Sequence, residues 1–89
     1  MERQVLVFVK HDCPRCPAAR ALGEKLRREG RMVKQLDVDT VDGLAEASFY
    51  GVMATPTVIV VDEGEESLAS WRGEVPPEDE LRSWLQPGG

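Results

Sequence analysis

The sequence predicts an α/β domain with element order β-α-β-α-β-β-α: a four-stranded mixed sheet with helices on both faces. Three observations lead there. Val5-Leu6-Val7-Phe8-Val9 is apolar at five consecutive positions, as a strand covered on both faces requires. Strand-like runs alternate with helical patterns as far as Val61. A short polar turn, Asp62-Glu63-Gly64-Glu65, then separates the last two strands. The first strands are joined by helical crossovers and should run parallel, whereas the last two should form an antiparallel hairpin.

Taken in order, the first strand breaks at the polar Lys10-His11-Asp12. The first helix is expected to start at Cys13 or Pro14, since proline suits the first helical position, and to end before Gly30. Ala18, Leu22 and Leu26 fall on one face of it. Arg20–Glu24 and Glu24–Arg28 stand at pairing distance on a basic face, most simply a solvated surface. Pro17 removes one more N–H from the start of this helix, leaving Arg15 and Cys16 as the amide donors nearest the Cys13 sulfur.

Met32 to Val38 reads as a less apolar strand, hence nearer a sheet edge. A short helix follows over about Val41 to Tyr50, with Asp39 or Thr40 as cap, Gly51 as stop, and Leu44, Ala47, Ser48 and Phe49 on its buried side. Val52-Met53-Ala54-Thr55-Pro56 has no period. Thr57 to Val61 and Ser67 to Trp71 are the remaining strands. Pro77 opens the last helix, Glu78, Asp79 and Glu80 suit its positive end, and Leu81, Trp84 and Leu85 form its apolar face.

The 89 residues have room for one small domain, read as 1–86, with Pro87-Gly88-Gly89 as a loose tail. A hydrophobic content of 42% and a charged content of 30% are ordinary for a soluble globule. No apolar run approaches membrane-spanning length, and Met1-Glu2-Arg3-Gln4 leads straight into a strand, which argues against a signal peptide. A reducing cytoplasm is the expected compartment. The net charge is −5 and the basic residues cluster on one helix, which disfavours nucleic acid as a partner.

Both cysteines lie in Cys13-Pro14-Arg15-Cys16, between the first strand and the first helix. A Cys-x-x-Cys at such a junction reads as a redox pair. Unpartnered N–H groups and the positive dipole end at a helix start favour thiolate over thiol, so Cys13 is the expected nucleophile. Cys16, one turn on, is placed to attack a mixed disulfide on Cys13. Three other readings compete. An inert core pair fits poorly beside Lys10, His11 and Asp12. A static disulfide lacks any mark of secretion. A closed zinc site needs four ligands, and the chain offers only His11 and carboxylates besides, so a metal or iron–sulfur centre would have to be shared between two chains.

With Thr55-Pro56 ahead of the third strand and Gly73 between the last strand and the last helix, the chain resembles the thioredoxin/glutaredoxin superfamily over nearly its whole length. The resemblance implies a thioredoxin-like fold and a cis bond before Pro56, which would leave the Ala54–Thr55 backbone free to pair with a substrate strand. Gly73 would join that surface, and Lys10, Pro14 and Arg15 would support the cysteines. Val7-Phe8-Val9-Lys10 ahead of the Cys-Pro-x-Cys looks like a glutaredoxin, whose matching lysine helps hold the thiolate; a merely solvated Lys10 stays open. The second half, Thr55 to Gly73, looks more like thioredoxin. Two features are missing: the Gly-Gly-x-Asp element with which glutaredoxins hold glutathione, where Arg72-Gly73-Glu74 stands, and the buried acid of thioredoxins, where Val7 stands. Asp12 replaces the thioredoxin tryptophan. Small glutaredoxin-like redoxins share this mixed character.

The expected activity is reduction of protein disulfides by a dithiol electron carrier, with no cofactor beyond the Cys13–Cys16 disulfide. Protein disulfides and an upstream reductase are the expected partners, without nucleic acid or membrane, and the chain is expected to be a monomer. A thioredoxin-reductase-type enzyme is favoured as reductant. A glutathione-dependent glutaredoxin and a metal-bridged Cys-x-x-Cys dimer are the alternatives, and a non-catalytic adaptor would not need the intact dithiol spacing.

Overall fold

A computed structural model describes residues 2–86; the tail expected at 87–89 lies outside the described residues. The elements are β1 (Gln4–Val9), α1 (Cys16–Arg28), β2 (Met32–Asp37), α2 (Val41–Phe49), β3 (Thr57–Val61), β4 (Ser67–Arg72) and α3 (Glu78–Trp84). They form one four-stranded sheet in the order β2-β1-β3-β4. β1 and β2 are parallel, as expected of strands joined by a helical crossover. β3 is also reached through a helix, yet it runs antiparallel to β1, with Thr57 opposite Phe8. The nine-residue α2 is followed by the irregular stretch 50–56, which returns the chain to the sheet edge where β1 ends. β3 and β4 form the expected antiparallel hairpin.

The unbroken apolar run of β1 is explained by the two layers it divides. Val5, Val7 and Val9 pack with Val58, Val60 and Trp71 beneath α1 and α3, through Cys16, Ala19, Leu26, Leu81 and Leu85. Leu6 and Phe8 pack with Leu36, Ile59 and Val61 beneath α2, through Ala47. Alternate strand residues point to opposite faces, so a central strand between two helical layers is apolar at every position. Edge strand β2 buries only Leu36 of this set.

Three helical expectations are corrected. First, α1 begins at Cys16 rather than at Cys13 or Pro14. An α-helix from Cys13 would need the N–H of residue 17 to reach the Cys13 carbonyl, and Pro17 has none. That carbonyl instead takes the Cys16 N–H at 3.2 Å, a tighter turn. Second, the buried stripe of α1 is Cys16, Ala19, Gly23 and Leu26; Leu22 is half-buried and Ala18 exposed. Gly23 allows the close approach, since a Cβ there would lie 3.3 Å from Val7 and 3.4 Å from Val33. Third, α2 buries Gly43 and Ala47, while Leu44 and Phe49 are 57% and 71% exposed and Ser48 also faces solvent. A Cβ on Gly43 would overlap the Asp37 carbonyl, so small residues, not the large apolar ones, set the face that meets the sheet.

The Thr40 hydroxyl caps α2 by accepting the Gly43 N–H at 3.0 Å. Leu81 in α3 and Leu85 just after it are buried as expected, but Trp84 is 39% exposed. Glu24 pairs with Arg27 at 2.7 Å rather than with Arg20 or Arg28. A larger ion cluster joins the end of α1 to α3: Arg82 bonds Glu29 and Glu78, and Lys25 bonds Glu78. No helix among the described residues is long and apolar enough to cross a membrane.

Candidate active site

Buried Val9 brings the chain out of the sheet at the edge where α1 begins. Lys10, His11 and Asp12 are exposed on the turn that follows, which is pinned by the His11 N–H donating to an Asp39 carboxylate oxygen at 3.4 Å. Cys13 and Cys16 are joined by a disulfide, with Cα atoms 5.3 Å apart. The two sulfurs differ in access. Cys16 is 0% exposed within the α1–sheet core, whereas Cys13 is half-buried and packs against the edge of that core. Pro14 and Arg15 are exposed between them. Of the two amides expected to face the Cys13 sulfur, that of Cys16 is spent on the Cys13 carbonyl, while that of Arg15 has no backbone acceptor among the described residues.

Val7, which stands where the resemblance to thioredoxins called for a buried acid, is buried against Gly23 and belongs to the aliphatic core.

A second element stands beside this turn. The Thr55–Pro56 peptide bond is cis. Pro56 is buried, Thr55 half-buried, and Met53 and Ala54 exposed, Met53 by 94%. The Ala54 carbonyl accepts the Thr57 hydroxyl at 2.7 Å and the Pro56 carbonyl accepts the Gly73 N–H at 2.8 Å. The N–H groups of Met53, Ala54 and Thr55 have no backbone acceptor among the described residues. Gly73 has φ +76, a left-handed conformation that favours glycine, and its carbonyl takes the Arg15 guanidinium at 3.5 Å. Arg15 therefore connects the cysteine turn to Gly73, and Gly73 connects to Pro56.

Lys10, Ala54 and Thr55 line one groove of about 310 Å³ together with Val38, Leu44 and Met53. Lys10 has no ion-pair partner among the described residues. The structure thus links Arg15, on the turn between Cys13, Pro14 and Cys16, to Gly73 and Gly73 to Pro56 by hydrogen bonds, and sets Lys10, Ala54 and Thr55 along one groove. No group of three or more His, Cys, Asp or Glu side chains among the described residues is arranged to hold a metal ion.

The thioredoxin domain family matches residues 3–86. The chain belongs to the thioredoxin family. It is 33% identical over 58 residues to a probable thioredoxin of Archaeoglobus fulgidus, a stretch covering 64% of this chain and 64% of that protein, so the match spans a little under two thirds of the relative's length. Among solved structures, a mutant thioredoxin from Halobacterium salinarum NRC-1 superposes with a TM-score of 0.78 at 27% identity, covering 94% of this chain and 72% of that one. The reduced Schistosoma mansoni thioredoxin pre-protein gives 0.75 at 21% identity, covering 94% and 76%, a likeness of fold. Family membership and the Cys13–Cys16 disulfide together support thiol–disulfide oxidoreductase chemistry.

Two residues with a structural part in the site escape sequence reasoning. Asp39, considered only as a helix cap, holds the His11 turn. Arg72, noted only as occupying the place of a missing glutathione element, donates to the carbonyls of Gly51 and Tyr50 at 2.9 and 3.1 Å. Neither contact has a local signal, because the partners lie 28, 21 and 22 residues away in sequence.

Proposed function

We propose that this protein is a dithiol oxidoreductase that reduces disulfides in other proteins and is itself reduced by a thioredoxin-reductase-type enzyme in a reducing compartment such as the cytoplasm. The observation that carries the proposal is the pairing of a half-buried Cys13 with a fully buried Cys16 in one disulfide at the head of α1. In the reduced protein the Cys13 thiolate attacks one sulfur of a substrate disulfide, forming a mixed disulfide and releasing the other substrate sulfur as a thiolate. The Cys16 thiolate then attacks the Cys13 sulfur. The second substrate sulfur leaves, the Cys13–Cys16 disulfide forms, and two electrons have passed to the substrate. Both cysteines come from one chain, so a monomer suffices for this cycle.

The N–H groups at 53–55, which have no backbone acceptor among the described residues, support a peptide-like substrate, since an extended segment can bond them without a dedicated side-chain pocket. Arg72-Gly73-Glu74 offers no counterpart of the Gly-Gly-x-Asp element for the γ-glutamyl end of glutathione. An unmatched charged ligand end forfeits hydrogen bonds worth about 1.5–3 kcal/mol each.

Two coupled assays test this: insulin reduction driven by NADPH with a thioredoxin reductase, and by glutathione with glutathione reductase. The first should turn over rapidly and the second slowly. Rapid turnover with glutathione, with none from the thioredoxin reductases tried, would return the protein to the glutaredoxin alternative.

A further inference from the structure

The stretch 50–56 is held at its two ends by two consecutive residues, Arg72, the last of β4, and Gly73, which follows it. At its start, the Arg72 guanidinium donates to the Gly51 and Tyr50 carbonyls at 2.9 and 3.1 Å. At its end, the Gly73 N–H donates to the Pro56 carbonyl at 2.8 Å. Between these anchors run Met53, Ala54 and Thr55, whose N–H groups have no backbone acceptor among the described residues. The Arg72 contact is two-pronged: a planar fork fixes orientation as well as distance, which a single lysine ammonium does not. It also lies at the C-terminal end of α2, where carbonyls lack helical partners and the dipole attracts a cation.

We propose that Arg72 is a positioning residue for partner docking: by clamping the Tyr50 and Gly51 carbonyls, it holds the 53–55 backbone where an extended substrate segment can pair with it beside Cys13. The inference rests on the proposed reduction of protein disulfides and adds to it the residue that presents the docking backbone. Arg72 touches neither the cysteines nor the substrate. Its effect is on how well the segment is preorganised before binding, and so on affinity rather than on sulfur chemistry.

The competing role is that of a plain helix cap. Two substrates separate the roles. Insulin needs the docking backbone. Hydroxyethyl disulfide is too small to span residues 53–55 and carries no charge for Arg72 to attract. For Arg72→Gln, kcat/KM with insulin should fall about tenfold, mainly through KM, while the second-order rate with hydroxyethyl disulfide stays within about twofold of wild type. Arg72→Lys, which keeps the cation but not the fork, should fall between the two. A urea titration of each variant reports whether the fold survives, and Arg72→Lys carries the comparison if Arg72→Gln does not fold. An unchanged KM for insulin, or a parallel loss on both disulfides, would overturn the role of Arg72 and leave the proposed function standing. A wild-type protein that reduces hydroxyethyl disulfide but no protein disulfide would overturn the proposed function, and this inference with it.

Discussion

At the scale of single residues, the asymmetry between the two sulfurs carries a direct consequence. Cys13 is half-buried and Cys16 fully buried, so in the reduced protein only Cys13 offers its sulfur to a reagent in solution. Reactivity follows thiolate character and access together. Brief alkylation of the reduced protein near neutral pH should therefore modify Cys13 first, as read by mass mapping; preferential labelling of Cys16 would reverse the assignment. Cys16→Ser should accumulate a mixed disulfide with substrate proteins, because no resolving thiol remains, and Cys13→Ser should accumulate none. Val7 adds a further residue-level feature. Its side chain is buried in the same apolar cluster as Cys16, so no carboxylate stands at this position.

At the scale of elements, α2 shows how small residues place a helix. The Thr40 cap is worth about 1 kcal/mol on general grounds, and Thr40→Ala should lower urea-unfolding stability by that order. Gly43→Ala should do worse. Its Cβ would overlap a backbone carbonyl, so α2 must shift bodily, whereas Thr40→Ala removes only the hydroxyl's two hydrogen bonds, from the Gly43 N–H and to the Asp37 carbonyl. The same urea titration compares the two, and a Gly43→Ala variant as stable as Thr40→Ala would contradict the close approach. Because α2 leads into the stretch 50–56, such a shift would also carry into Ala54 and Thr55. Structural damage in α2 is thus expected to appear as a defect in substrate binding too.

At the scale of the whole molecule, the cluster of Lys25, Glu29, Glu78 and Arg82 fastens α1 to α3. Hydrogen bonding to Arg82 lowers the Glu29 carboxyl below its usual range. Bonds from Lys25 and then Arg82 do the same for Glu78. A carboxylate with a lowered folded-state pKa stabilises fully above its unfolded value and loses that contribution as pH falls through the folded value. The melting temperature should therefore drop on acidification below about pH 4.5, and Arg82→Gln should flatten that drop. The effect is small, because these groups are solvated. Tyr50 acts at the other end of the scale. Burial, aided by Glu65, Glu46 and Asp62, raises its phenol above the ordinary value of 10.0. Its hydroxyl donates to the Glu65 carbonyl at 3.3 Å. A raised folded-state pKa gives a contribution present below pH 10.0 and lost as pH rises through the folded value, so Tyr50→Phe should weaken the alkaline fall in melting temperature. Melting curves across pH for the wild type and the two variants check both limbs; identical profiles would refute the assignments.

What the sequence by itself determined is what local chemistry encodes. The unbroken apolar run of β1, the Cys13/Cys16 spacing at a strand–helix junction, a helix cap at Asp39 or Thr40 and the Asp62–Glu65 turn each specify their own neighbourhood, so the element order and the position of the disulfide were legible without coordinates. The resemblance added the cis bond before Pro56 and the placing of Gly73 on the same surface; the hydrogen bond that joins them came from the structure. Other features depend on which surfaces come into contact, and only the tertiary structure decided those. Apolar periodicity favoured Ala18 in α1 and, beside Ala47, Leu44 and Phe49 in α2, but close approach to the sheet selected Ala19, Gly23 and Gly43 and kept only Ala47 of the α2 set, because a short side chain lets backbones meet where a long one holds them apart. The crossover after β2 carries no mark of the direction in which β3 will run; that follows from where the irregular stretch 50–56 rejoins the sheet. The Arg72 clamp was invisible for the same reason. Its acceptors are backbone carbonyls, which every residue possesses, and only the folded chain brings two of them to one guanidinium.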